Sequence, residues 1–103
     1  MYAIAFDLDT EQLKSGYRTD SYPNAYGEIR ATLEALGFDH QQGSVYFGNS
    51  TRTAVDCVLA VQMLAYKYPW LGAAVKDIRM LRIEDDNDLK PAIQAVQATP
   101  PTT

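Results

Sequence analysis

The chain has 103 residues, of which 47% are hydrophobic and 21% charged, with 9 Lys and Arg against 13 Asp and Glu. This size and composition indicate one globular domain with a thin core, which pairing with a second copy would stabilise. The acidic balance excludes a protein that grips nucleic acid over a long basic surface. The single cysteine, Cys57, excludes an internal disulfide. No apolar run approaches the ~20 residues of a membrane span, so we expect a cytoplasmic protein.

The first predicted element is a strand over residues 2–9, because bulky apolar residues alternate with small or acidic ones. We expect the bulky face to pack on helices. The second face carries Ala3, Ala5, Asp7 and Asp9, and its small residues leave room for a partner subunit. The polar stretch from Thr10 to Ser21, with Leu13 as its one aliphatic residue, predicts a loop.

Two amphipathic helices and a hairpin follow. Apolar spacing and capping residues predict the helices over 21–37, starting at Ser21-Tyr22-Pro23, and over 51–68. The hairpin spans 38–47, with Gln42 and Gly43 near its turn. The cap of the second helix would be Asn49, Ser50 or Thr51.

The last predicted strand runs from Val75 to Glu84 and is apolar on both faces, so both faces should be covered. A short helix then reaches about Gln97. Its caps would come from Asp85, Asp86 or Asp88. Residues 98–103 contain two prolines and are predicted to form a disordered tail.

The element order β-α-β-β-α-β predicts an α+β, ferredoxin-like domain over residues 1–97. Two helices would cover one face of an antiparallel sheet. A homodimer, joined face to face or at a sheet edge, would cover the other face and bring Asp7 near the two-fold axis.

Three groups of residues could carry chemistry. They are Asp7 with Asp9 at the first strand end, the hairpin residues Gln42, Ser44 and Tyr46, and the cationic stretch Lys76, Asp77, Arg79 and Arg82. Strand-end carboxylates can bind a divalent metal or accept a proton, and arginine suits phosphate. Each group also has a structural interpretation: a solvated strand terminus or a cap for the following loop, an ordinary tight turn followed by an edge strand, and a set of surface ion pairs with the following acidic run.

Two other patterns are weaker. The segment FDLDT resembles the Asp-x-Asp-x-Thr motif of haloacid dehalogenase-type phosphatases, but those enzymes need a doubly wound parallel sheet that 103 residues cannot supply. His40 is the only histidine, which excludes a pair of histidines acting as acid and base within one chain. On a hairpin it is expected to be a packing residue.

Four blocks, MYAIAFDL, SYPNAYGEIRATLEALGF, QQGSVYFGN and VKDIRMLRIED, together resemble the VapD family, or virulence-associated protein D. The resemblance covers about residues 1–90. It implies a ferredoxin-like fold similar to the small dimeric CRISPR-associated nuclease, endoribonuclease activity, and in several members a toxin role with an antitoxin partner. It assigns functional positions to Asp7, Ser44 and Asp77, and links Leu13 to activity through packing. Two features depart from the family pattern. Asp9 and Thr10 give the opening block an extra acidic character, and the Pro-Thr tail extends past the usual end.

The implied reaction is cleavage of RNA phosphodiester bonds. Asp7 would hold a divalent ion such as Mg²⁺ or activate the attacking oxygen, Ser44 would position the phosphate, and Arg79 would offset its charge. Gln42 and Tyr46 would contact the substrate. A non-catalytic, homodimeric protein-binding module of the same fold is the alternative, and the acidic composition favours it.

Overall fold

The structure is a computed structural model that describes residues 1–16 and 23–97. In these ranges the chain forms four strands and five helices. The strands are β1 (Tyr2–Leu8), β2 (Phe38–Gln42), β3 (Val45–Gly48) and β4 (Val75–Arg82). The helices are α1 (Thr10–Gly16), α2 (Asn24–Ala35), α3 (Ala54–Lys67), α4 (Leu71–Ala74) and α5 (Lys90–Gln97). The predicted α+β class is confirmed.

The four strands form one open sheet in the order β2-β3-β1-β4, and every neighbouring pair is antiparallel. This arrangement is consistent with a ferredoxin-like fold. It is not a doubly wound parallel sheet, which agrees with setting aside the phosphatase interpretation of FDLDT.

The core lies between the sheet and the helices, as the alternation in β1 predicts. Ile4 and Leu8 of β1 are buried there with Phe38 of β2. Helices α2 and α3 supply Ile29, Leu33, Cys57 and Leu64. Burial raises the pKa of the Cys57 thiol, so this cysteine acts as a small core residue and not as a nucleophile.

The prediction of a loop from Thr10 is wrong, because α1 begins at Thr10 and runs to Gly16. One Asp9 carboxylate oxygen accepts hydrogen bonds from the backbone N–H groups of Glu11, at 2.9 Å, and Gln12, at 3.2 Å. Asp9 therefore caps a helix, whereas its structural interpretation was a solvated strand terminus or a cap for a loop. A two-turn polar helix with one apolar residue has no periodicity that a sequence pattern can detect. Residues 17–22, including the predicted helix start at Ser21 and Tyr22, lie outside the described residues.

The predicted cap of the second long helix also needs correction. Thr53 caps α3, and its side chain and the Asp56 side chain each accept a hydrogen bond from the other residue's backbone N–H. These bonds from Thr53 lower the pKa of Asp56. Asn49 instead accepts hydrogen bonds from the backbone N–H and hydroxyl of Thr51, within the preceding turn.

The C-terminal part of the described chain packs loosely. Met80 and Leu81 of β4 are 47% and 44% exposed. The prediction was that both faces of this strand are covered, and within a single chain they are not. Helix α5 forms where predicted, after Asp88, whose carboxylate accepts from the Lys90 N–H at 2.9 Å. None of its residues is buried. The short helix α4 was not predicted, and the predicted tail at 98–103 lies outside the described residues.

Candidate active site

The candidate site lies on the sheet face that points away from α2 and α3, here called the open face. Its members are Ala3, Ala5, Asp7, Val45, Phe47, Asp77, Arg79 and Leu81. Residues paired across antiparallel strands point to the same face of the sheet, and so does every second residue along one strand. These eight residues therefore share one face. Three rows result: Phe47 with Ala3 and Leu81, Val45 with Ala5 and Arg79, and Asp7 with Asp77.

The Asp7–Asp77 row places two carboxylates directly opposite each other across β1 and β4. Both residues are exposed. Like charges in this position cost stability, by about 0.2–1 kcal/mol. The ladder shifts register between Asp7 and Leu8, and such irregularities are frequent beside active sites. A repulsive pair at an irregular strand end is a feature that the fold alone does not need.

Arg79 offsets part of this negative charge. Its Nε donates to both carboxylate oxygens of Asp77, at 3.0 and 3.2 Å. The two side chains are 72% and 53% exposed, so this ion pair adds little stability and leaves the guanidinium open to a ligand. This ion pair is with Asp77 and not with the acidic run after β4 that the structural interpretation expected, and it does not occupy the whole guanidinium.

Ser44 lies at the same end of the sheet. Its carbonyl accepts a hydrogen bond from the backbone N–H of Phe6, the residue before Asp7, at 3.1 Å. The residue is half-buried. The structure thus brings the three predicted catalytic residues, Asp7, Ser44 and Asp77, to the same end of the adjacent strands β3, β1 and β4.

The predicted role of Tyr46 as a stacking ring does not fit the structure. Tyr46 is 3% exposed, and its ring stacks on Phe6 with centroids 5.9 Å apart in the helix-side core. Burial raises the pKa of its phenol. His40 packs against the same ring, and its Nε2 lies 2.7 Å from the Gly43 carbonyl oxygen. Both residues stabilise the hairpin, which is the packing role expected for His40.

Sequence reasoning missed Phe47, an aromatic residue that does reach the open face. Phe47 is half-buried and pairs with Ala3. Its place in the alternation, two residues after Val45 and opposite a small residue of β1, was the signal that could have identified it. Gln42, also predicted to contact substrate, is exposed and pairs with Val45 beyond an irregularity in the β2–β3 ladder.

Metal and membrane features are few. Within residues 1–16 and 23–97, no group of three or more His, Cys, Asp or Glu side chains converges as a metal cage would. The Asp7–Asp77 pair fits Mg²⁺ in another way, since this ion is commonly held by one or two carboxylates together with substrate phosphates. In the described part of the chain, no helix combines the length and apolar character needed to cross a membrane.

A carboxylate pair beside an open guanidinium, on the sheet of a small α+β domain, defines a candidate site for phosphoryl-transfer chemistry. No protein-family model matches the chain. Curated relatives do match. An "Endoribonuclease VapD 2" of Riemerella anatipestifer is 53% identical over 90% of this chain and 99% of its own length.

Two further relatives agree. An "Endoribonuclease VapD homolog" of Helicobacter pylori is 50% identical over 93% of this chain and 99% of its own length. An "Endoribonuclease VapD" of Dichelobacter nodosus is 43% identical over 85% of this chain and 91% of its own length. The chain belongs to the VapD family of endoribonucleases.

Proposed function

We propose that this protein is an endoribonuclease that cleaves RNA phosphodiester bonds at the Asp7–Asp77 end of the open face. The direct cross-strand register of these two carboxylates carries the proposal, because it concentrates negative charge at an exposed strand end at a cost to stability. The relatives described above are each named as endoribonucleases, which supports the same activity.

Each side chain has a defined role in this proposal. Asp7 accepts the proton of the attacking oxygen, and the Ser44 hydroxyl donates a hydrogen bond to a phosphate oxygen. Arg79 offsets the charge that grows on the phosphate in the transition state. If Mg²⁺ takes part, Asp7 and Asp77 would hold it, and the ion would neutralise phosphate charge when bound.

The direct test is cleavage of a labelled single-stranded RNA by the purified wild-type protein beside Asp7→Ala, each with magnesium and with a chelator. We expect cleavage by the wild type alone. The chelator reaction decides whether a metal takes part. Equal cleavage by both proteins would assign the activity to another site or to a contaminant, and no cleavage by either would reject the proposal.

We also propose a homodimer joined at the β4 edge, one of the two geometries that the sequence leaves open. A groove of about 230 Å³ between α3 and β4 is lined mainly by apolar side chains, among them Val58 and Met80, which are 52% and 47% exposed. Apolar surface of this kind marks interaction sites. The segment after β4 lies beside Val45 and Phe47 on the β3 part of the open face. Because this segment occupies part of the open face, an edge-joined dimer is favoured over a face-to-face one.

The dimer has a simple hydrodynamic test. Sedimentation of the wild type at micromolar concentration should give twice the chain mass, and Val58→Glu should give the monomer because it places a charge in the groove. Val55→Glu is a matched control, since Val55 is 65% exposed on α3 but does not line the groove. A monomeric wild type would contradict the proposal.

We further propose that the protein acts in the cytoplasm as the toxin of a toxin–antitoxin pair, as the VapD resemblance implies. Induced expression of the wild type in bacteria should arrest growth, while Asp7→Asn expressed to the same level should not. Growth arrest by both proteins would separate toxicity from RNA cleavage.

A non-catalytic binding module remains the second candidate because α3 exposes apolar side chains. Val55, Val58, Leu59, Met63 and Tyr66 are between 43% and 86% exposed. A protein partner, such as an antitoxin, would cover such a helix face. This function has no need of the Asp7–Asp77 pair, so the cleavage test discriminates between the two.

A further inference from the structure

A cleft of about 450 Å³ lies on the open face beside the proposed catalytic end. We call it the hairpin cleft. One wall is the β2–β3 hairpin, and the other is the segment 86–89 that follows β4. Its lining includes Gln42, Val45, Phe47, Asp86, Asn87 and Leu89. Only Gln42 among these was a predicted substrate contact.

The position of the cleft suits part of a substrate whose phosphate lies at the carboxylates. Val45 pairs with Ala5, two residues before Asp7 on β1, which is about 7 Å along the strand. The base of a nucleotide and its own phosphate span such a distance. A single nucleotide can therefore reach from the hairpin cleft to the Asp7–Asp77 row.

The surface between the hairpin cleft and the Asp7–Asp77 row is low. Ala5 lies on the central strand between Val45 and Arg79 and is half-buried, whereas Ala3 is fully buried. A small side chain between two larger ones leaves a shallow trough at Ala5. A sugar–phosphate backbone can lie in it, with the exposed guanidinium of Arg79 on the side away from the cleft.

The lining of the cleft selects a base over a phosphate. Phe47 offers a ring face, and stacking on an aromatic side chain is the common way that proteins hold unpaired bases. Gln42 and Asn87 provide amides that both donate and accept hydrogen bonds, whereas Asp86 only accepts. The carboxylates of this segment repel a phosphate group.

The carboxylate of Asp86 also distinguishes between bases. Guanine presents two adjacent donors on its Watson–Crick edge, the ring N1–H and the exocyclic amine, and these match the two oxygens of a carboxylate. Its O6 accepts from an amide such as that of Gln42 or Asn87. Adenine and cytosine each present one amine beside a ring acceptor, which Asp86 would repel, and uracil presents only one donor.

We infer that the hairpin cleft is a nucleobase subsite that prefers guanine in single-stranded RNA. Phe47 stacks on the base, Asp86 accepts from its Watson–Crick edge, and the amides of Gln42 and Asn87 complete the recognition. This inference rests on the proposed ribonuclease function and names the substrate element that its site selects.

The test measures binding apart from cleavage. The full-length Asp7→Asn protein is titrated into short fluorescent oligouridylates that carry one central guanosine, adenosine or cytidine, and fluorescence anisotropy gives each affinity. The guanosine oligonucleotide should bind about tenfold more tightly than the others, as one good bidentate base contact allows. Asp86→Asn in the same background should remove this preference. Asp86 is exposed, so the substitution leaves the fold intact.

A second variant tests the stacking role. Phe47→Leu should weaken every oligonucleotide by about tenfold, in the range that loss of one base–aromatic stack produces. Tyr66→Leu is the matched control, since this ring is 86% exposed on α3, and it should change nothing. Circular dichroism checks that both variants are folded.

The outcomes separate the subsite from the nuclease. Equal binding of all oligonucleotides, or a guanosine preference that survives Asp86→Asn, overturns the subsite. If the wild type cleaves RNA without regard to base, the subsite is wrong and the ribonuclease proposal stands. If the guanosine oligonucleotide binds selectively but wild-type protein does not cleave it, the subsite stands and the ribonuclease proposal fails.

Discussion

Asp7→Asn is expected to abolish most RNA cleavage while raising the thermal midpoint of unfolding. The loss should be about 10²–10⁴-fold, the usual contribution of a positioned proton acceptor. The gain arises because the substitution removes one of two like charges paired across β1 and β4. Relief of about 0.5 kcal/mol would raise the midpoint by about 2–4 °C in a domain of this size.

Asp77→Asn should show the same loss of cleavage with a smaller gain in stability. Asp77 accepts from Arg79, so its replacement removes a favourable contact together with the repulsion. In the double variant the second substitution should add little stability, because the repulsion has already gone. Thermal unfolding followed by circular dichroism, with cleavage rates measured on the same samples, gives both quantities.

Asp39→Asn is the matched control for this pair. Asp39 is also an exposed strand aspartate, but its cross-strand partner is Phe47 and not a carboxylate. It should change neither cleavage nor the midpoint. If Asp7→Asn kept wild-type activity, or lowered stability as much as a core substitution does, the carboxylate pair would not be the site.

The alternation of MYAIAFDL is enough to predict which face of β1 holds Asp7. Only one set of alternate residues, including Ile4 and Leu8, is large enough to form a core with helices. The exposed Asp7 then has to lie on the other face. That Asp77 lies opposite could not be predicted, because the pairing depends on the register of β4 and on the irregularity after Asp7.

The hairpin shows the opposite case. QGSVYF contains two candidate rings for the open face, and sequence reasoning favoured Tyr46 because it is amphipathic. The register between β2 and β3 shifts between His40 and Gln42, and β3 pairs with β1 so that Tyr46 joins Ile4 while Phe47 joins Ala3. The face on which each side chain of a short strand lies is set by how the strand pairs with its neighbours, and a local sequence pattern does not show that pairing.

Leu13→Ala is expected to lower the free energy of unfolding by about 2–5 kcal/mol, the usual cost of truncating a buried leucine. Leu13 is the buried residue of α1 and is 0% exposed. No sequence pattern revealed this, since the segment reads as a polar loop. The resemblance to the VapD family linked the position to activity, and its burial offers a structural reason for that link.

The path from Leu13 to the site runs through α4. Helix α1 packs against α4, and the backbone N–H of Asp9 donates to the Ala74 carbonyl at 2.7 Å. Ala74 ends α4, and β4 begins at the next residue, two positions before Asp77. A cavity at Leu13 therefore loosens the element that fixes where the Asp77 carboxylate lies.

Because Leu13 acts through this path, an experiment can distinguish the effect of its substitution from the effect of replacing a carboxylate. Cleavage by Leu13→Ala should fall with the folded fraction and recover on cooling below the variant's lowered midpoint, whereas Asp7→Asn should stay inactive at every temperature. Leu13→Met conserves volume and should cost less than about 1.5 kcal/mol, so it should keep both fold and activity. A Leu13→Ala protein with a wild-type midpoint and no cleavage would show instead that Leu13 acts at the site itself.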